Sequence, residues 1–288
     1  MKTTKRFFVA SSLLIHLTSG SAFADGHSVQ VDDATIQAQR ATLAAVTEGN
    51  FVTPQAPRDI DVKSGTNPVN FLDAPDKSQM NLCNINLRKG AEHRGGEFTR
   101  YAGNGDGKGY GTGFLYDGEL SEAETSPVSY SIGFGDETRT LVPGDTIEVH
   151  YVYTSAQTTP GPTLSACLGG TGAIPQLRIE AQVFVVVNNE KADDFVKLTA
   201  VERVNGFHQA VNIPFFTGTP VVYDGSTTGP GYNEKASPFQ VTWSVRPEVM
   251  KVSARSVANW LADNPFDERG SQGVRNLVTN PALLAPIE

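Results

Sequence analysis

The stretch Thr146-Ile147-Glu148-Val149-His150-Tyr151-Val152-Tyr153 decides the fold. It alternates with a period of two: Ile147, Val149, Tyr151 and Tyr153 fall on one face, and Glu148, His150 and Val152 on the other. Rich in β-branched and aromatic residues, it reads as a strand. Residues two apart on a strand share a face, so Glu148 and His150 project together. Working outward, Arg178 to Val187 is a second strand, and its apolar run Val183 to Val187 predicts cover on both faces. Phe239 to Val245 is a third, with Val241, Trp243 and Val245 on one side. Pro220 to Tyr223 is a shorter candidate, ended by Asp224-Gly225. The β pattern begins near Asn81. Helical spacing occurs at Ser253 to Asp263, through Val257, Trp260 and Leu261, and at Asp32 to Glu48, capped by Asp32 or Asp33. Thr53 to Asn67, with Pro54, Pro57 and Gly65, reads as an extended linker, and Pro281 to Leu284 as cover for a sheet edge. The expected fold class is mainly β (β-rich α+β): a single globular domain with a central antiparallel or mixed sheet and short helices at the N- and C-terminal ends.

The first 24 residues read as a secretory signal peptide. Lys2, Lys5 and Arg6 precede a short apolar run from Phe7 to Leu17, and Ala22-Phe23-Ala24 supplies small residues for cleavage before Asp25. Residues 25–75 then form an N-terminal helix and linker, and 76–288 the β-rich domain. No later run is long and apolar enough to span a bilayer. The expected product is secreted across the inner membrane, to the periplasm. Removing three positive charges and no acidic ones takes the formal charge from −8 to −11, which argues against nucleic acid and anionic membranes as partners. Cys83 and Cys167 are the only cysteines, and export makes one disulfide the expected state.

Four histidines follow the leader: His27 in a polar tail, and His93, His150 and His208 in β-patterned surroundings. Three neutral imidazoles with one open position make a standard shell for hydrolytic or hydrating zinc, so these three are the candidate metal ligands. Metal-bound imidazoles usually donate their other ring hydrogen to a carboxylate, and Glu148 and Glu92 are the candidates for that part. Other chemistries lack their motifs. The glycine-rich run Gly103 to Gly113 fits neither the phosphate-loop nor the calcium-loop spacing and reads as a close-packed hairpin or loop. Neither a Gly-x-Ser-x-Gly elbow nor a His-Glu-x-x-His helix occurs.

Several blocks together resemble the delta-class carbonic anhydrases. They are Cys83-Asn84-Ile85, Ala91-Glu92-His93, the run from Tyr101 to Gly111, that from Pro143 to His150, and that from Val204 to Ala210. Gly225 to Pro230, Gln240 to Pro247 and Gly273 to Pro281 continue the match. The resemblance implies reversible hydration of CO2 to bicarbonate at a Zn2+ held by histidines, with CO2 and bicarbonate as the small-molecule substrate. Zinc acts there by lowering the pKa of its bound water to about 7. The chain departs from the pattern at one point: the family's His-x-His after the first cysteine is here Asn86 and Arg88. If that pair ligates the metal, this chain has lost it and is a non-catalytic binding module. If it serves around the metal, His93, His150 and His208 remain a complete set. Arg88 is then the expected bicarbonate-binding group, and with no histidine left to shuttle protons, turnover is expected to depend on buffer.

Overall fold

The computed structural model describes residues 30–170, 174–227 and 233–288. The expected leader over residues 1–24 and His27 lie outside the described residues. Strands β1 (Asn81–Lys89), β4 (Thr146–Thr154), β5 (Leu177–Val187), β9 (Phe239–Val245), β8 (Val221–Thr227) and β10 (Met250–Ser253) form one mixed sheet in the order β1-β4-β5-β9-β8, with β10 also pairing β5. The β1–β4, β4–β5 and β8–β9 pairs are antiparallel, whereas β9 and β10 both run parallel to β5. Two two-stranded ribbons flank it, β2 (Arg100–Tyr101) with β3 (Phe114–Leu115) and β6 (Val201–Val204) with β7 (Phe207–Ala210). The mainly β, single-domain fold with a central mixed sheet stands as expected.

The central sheet is buried on both faces, as the apolar run of β5 predicts. Ile147, Val149, Tyr151 and Tyr153 of β4 join Leu82, Ile85, Leu87, Phe184 and Val186 in one core layer. That layer is closed by the one-turn helix α4 (Phe195–Leu198) and by α5 (Ala254–Ala262), which contributes Val257, Trp260 and Leu261. The opposite face carries Val152, Ile179, Ala181, Val183, Tyr223, Val241 and Trp243. A register shift between Leu82 and Asn84 lets Leu82 and Ile85 share the first layer although they are three residues apart. It also turns Cys83 toward the second layer, where it bonds Cys167 of α3 (Ser165–Leu168). The two remaining helices are α1 (Asp33–Thr47), with Asp32 as its N-cap accepting from the Thr35 N–H, and α2 (Glu122–Thr125), closed by a capping box from Ser121 and Glu124.

Three local expectations change. The strand predicted to end at Tyr223 continues through Asp224-Gly225 to Thr227, because Gly225 marks close packing: a Cβ there would lie 2.9 Å from both the Tyr223 and Trp243 rings. The extended segment from Thr53 is packed down, with Thr53 to Arg58 all buried beneath the C-terminal residues. Pro281–Leu283 is a 3-10 turn whose Leu283 packs on Leu43 of α1. The glycine-rich run is the loop joining β2 to β3. Gly109 there has φ +114° and passes so near the chain at Val274 that a Cβ would sit 2.6 Å from its carbonyl oxygen. No helix among the described residues is long and apolar enough to cross a membrane.

Candidate active site

The β1–β4 register sets the site. Asn86 lies directly across from His150, and Arg88 across from Glu148, all four on the sheet face opposite Ile85 and Leu87. After β1, Gly90 (φ +87°) turns the chain back over this face, so that Ala91-Glu92-His93 crosses above β4. Glu148 pins that crossing. Its Oε2 accepts the backbone N–H of Glu92 at 2.7 Å and of His93 at 3.0 Å, and its Oε1 accepts His93 Nδ1 at 2.7 Å and His150 Nε2 at 2.7 Å.

Burial pushes the Glu148 carboxyl up, but the neighbouring imidazoles and their hydrogen bonds outweigh it and hold it well below the usual carboxylate range. An ionised, acceptor-only carboxylate fixes both tautomers: His93 carries its hydrogen on Nδ1 and His150 on Nε2. The second nitrogen of His93 is also occupied, 2.6 Å from the Tyr223 hydroxyl. Burial raises the Tyr223 pKa well above its ordinary value, despite the Arg58 guanidinium 5.4 Å from its ring centre, so the hydroxyl donates and His93 Nε2 accepts. The Trp243 ring packs against both imidazoles, with centroids 4.8 Å from His93 and 5.0 Å from His150. His150 Nδ1 alone has no hydrogen-bond partner among the described residues, and His150 borders a cavity of about 880 Å³.

Asn84, Asn86, Arg88, Glu92 and Gln272 line the polar side of this cavity, and Val152, Leu164 and Ile179 form an apolar wall. Glu92 points one oxygen to the Arg275 backbone N–H at 2.8 Å and sets the other 3.8 Å from His150 Nε2 and 3.9 Å from Arg88 Nε. Gln39 of α1 closes part of the mouth by bonding the Gly107 carbonyl and Asn276.

Of the three predicted histidine ligands, His93 and His150 meet and His208 stays apart. His208 sits on β7, beside the other end of β1, where its N–H donates to Asn81 Oδ1 at 3.1 Å. Asn81 is five residues from Asn86, about 16 Å along a strand. Glu92 and Glu148, named for orienting roles, and Arg88, named for the anion, all border or buttress the cavity. Tyr223, Trp243 and Gln272 were not singled out by sequence. Nothing local marks them, because each reaches the site from a strand or loop far away in the chain.

His93, Glu148 and His150 are a buried group of metal-ligand type, with donor atoms all within 4.8 Å of one another. The expected shell of three histidines is not assembled; the set present is two histidines and one carboxylate, a donor set that catalytic zinc also uses. Both His93 nitrogens are held in buried hydrogen bonds, and Glu148 Oε1 is shared by two imidazoles at 2.7 Å. His150 keeps one nitrogen without a partner among the described residues, and its neighbours at the cavity are the Asn86 amide, the Arg88 guanidinium and the Glu92 carboxylate, whose Oε2 lies 3.8 Å from His150 Nε2.

Comparisons with known proteins bear on the identity of the chain. Among solved structures, the alpha-carbonic anhydrase of Photobacterium profundum is 13% identical, with 86% of this chain and 95% of that one covered and a TM-score of 0.27. A halotolerant carbonic anhydrase from Dunaliella salina is 15% identical, with 80% and 85% covered and a TM-score of 0.31. The alpha-carbonic anhydrase of Thermovibrio ammonificans, in complex with sulfanilamide, is 14% identical, with 82% and 89% covered and a TM-score of 0.26. These likenesses are too weak to argue from. No curated protein sequence matches significantly. The model of the delta carbonic anhydrase family, by contrast, matches residues 77–256, well over half the chain and all of β1 through β10. This protein therefore belongs to the delta carbonic anhydrase family, enzymes of CO2 hydration.

Proposed function

We propose that the chain interconverts CO2 and bicarbonate in the cavity beside His150, with His150 as proton acceptor in place of a three-histidine zinc. One observation carries this reading. Buried, ionised Glu148 holds His150 by Nε2, which leaves Nδ1 without a partner among the described residues on a side chain that lines the cavity. This is the geometry of a general base oriented by a carboxylate.

CO2 rests against Val152, Leu164 and Ile179, and a water hydrogen-bonds His150 Nδ1. The water oxygen bonds to carbon, one C=O π pair moves onto oxygen, and the water's proton passes to Nδ1. Glu148 stabilises the imidazolium through Nε2–H, and Arg88 attracts the bicarbonate anion. The proton then leaves to solvent or buffer, which restores the base. General-base catalysis contributes about 10²–10⁴-fold, far less than a zinc hydroxide supplies, so a slow, buffer-dependent enzyme is the expected result. The leader pattern of residues 1–24 and the Cys83–Cys167 disulfide support action in the periplasm.

The test is metal analysis of the purified mature protein, with stopped-flow CO2 hydration before and after a strong chelator. The expected outcome is substoichiometric zinc and hydration above the buffer rate that resists chelation and is lost in His150→Ala. Stoichiometric zinc with chelator-sensitive turnover would restore a metal mechanism on the converging donors His93, Glu148 and His150. Hydration no faster than buffer would leave a binding module.

A further inference from the structure

Leu164 is the one member of the cavity's apolar wall that the sheet does not hold. Val152 and Ile179 are direct partners across the β4–β5 register, so the sheet fixes their places. Leu164 comes instead from residues 155–170, the loop that leaves β4 and contains the single turn α3. The only buried side chain in 155–170 is that of Cys167, since Gly161 is buried but carries none. An isolated helical turn does not hold itself, and α3 has no side-chain cap at Leu164. Thr163, just before it, sits at φ +59°, in the left-handed region that a β-branched residue avoids. Such a conformation persists only where its surroundings over-determine it.

The Cys83–Cys167 bond supplies that restraint. The Cys167 N–H donates to the Leu164 carbonyl at 2.9 Å, so the two residues are locked in one turn. Cys83 lies on β1, the strand that carries Asn84 and Asn86 into the cavity lining. The disulfide therefore ties the turn bearing Leu164 to the sheet that bears the rest of the site. Besides it, single hydrogen bonds run from the Gly161 N–H to the Cys83 carbonyl at 3.0 Å, from Asn84 Nδ2 to the Gly161 carbonyl at 3.0 Å, and from Thr154 Oγ1 to the Cys167 carbonyl at 2.7 Å. Leu164 packs on the buried group that contains both cysteines, Val152 and Ile179. We infer that the Cys83–Cys167 disulfide is the clamp that positions Leu164, and so sets how tightly the apolar wall takes up CO2. The inference rests on the cavity being the CO2 site. The clamp acts on binding and not on proton transfer at His150, which Glu148 and the sheet hold without it. An enzyme built this way keeps its CO2 affinity only where disulfides form.

The experiment pairs amide hydrogen exchange, read residue by residue by NMR, with CO2-hydration kinetics, in the mature wild type and in Cys83→Ala/Cys167→Ala. In the wild type the bonded Gly161, Ala166 and Cys167 amides are expected to be protected. In the variant they should exchange at least about tenfold faster relative to β4 amides, because the loop opens by itself while the sheet stays closed. Loss of one of three apolar contacts to CO2 should lower kcat/KM about three- to tenfold and leave kcat in place. A disulfide that only stabilises the fold would lower the Tm and move neither the exchange ratio nor KM. Near-UV circular dichroism reports the fold, and Cys83→Ala/Cys167→Val, which refills the vacated volume, is the second variant where the double alanine does not fold. Unprotected loop amides in the wild type, an unchanged exchange ratio in a folded disulfide-free variant, or kcat and kcat/KM falling together would each overturn the clamp. A wild type that fails to hydrate CO2 sinks the proposed reaction, and the exchange ratio then decides the clamp on its own.

Discussion

Replacing Glu148 with Gln tests the assembly of the whole site, because one side chain joins β4, the Glu92-His93 crossing and both imidazoles. The carboxylate accepts four hydrogen bonds, two backbone and two imidazole. A glutamine is nearly isosteric but has one oxygen, so its NH2 must face two of the four donors. Two bonds to a charged acceptor are lost, at about 1.5–3 kcal/mol each, and buried donors are left facing a donor. Relief by small movements and by re-orientation of His150 offsets part of this, which leaves an expected destabilisation of about 3–5 kcal/mol. For a chain of this size that corresponds to a Tm lower by roughly 6–20 °C. Urea denaturation followed by circular dichroism and tryptophan emission reads it, since Trp243 packs on both imidazoles. A pH series adds a second readout. The folded pKa of Glu148 lies below its unfolded value near 4.5, so its contribution is complete above pH 4.5 and is lost as pH falls through the folded pKa. Glu148→Gln should remove that acid-side loss. A variant within about 1 kcal/mol of wild type at pH 7, with an unchanged acid limb, would refute this account of the site.

Tyr223→Phe removes the hydroxyl that caps His93 Nε2 and leaves a buried acceptor bare. Chemical denaturation should show a loss of about 1–3 kcal/mol, with CO2 hydration reduced less than in His150→Ala. Burial raises the Glu268 carboxyl to about 7, outweighing Arg88, Gln272 and Arg139, with Asp267 adding to the rise. Its folded pKa lies above its unfolded one, so the relative stability it gives is present below about pH 4.5 and lost as pH rises through 7. Glu268→Gln should therefore stabilise the protein more at pH 8 than at pH 5, by roughly 2–3 kcal/mol, as measured by urea midpoints at the two pH values. Reduction of Cys83–Cys167, which closes a loop of 84 residues, should lower stability by about 4–5 kcal/mol in the chain-entropy account, as read by denaturation with and without reductant.

The sequence by itself determined the β-rich fold, because alternation in Thr146 to Tyr153 and an unbroken apolar run in Val183 to Val187 leave few other ways to bury those side chains. Both became central strands with apolar layers on each face. It also placed Glu148 and His150 on one face, since a period of two is a local property of the backbone. The α1 helix and its Asp32 cap were legible for the same reason. Only the tertiary structure decided which groups meet. The β1–β4 register set Asn86 against His150 and Arg88 against Glu148, and a one-residue slip would have sent them to the other layer. The turn at Gly90 carried His93 onto Glu148, whereas β7 kept His208 with the far end of β1. Tyr223 came from a strand 130 residues beyond His93 to take its last nitrogen. Counting histidines along the chain gave three equivalent candidates. Hydrogen-bond partners, which depend on contacts remote in sequence, left one of them lining the cavity with a nitrogen to spare.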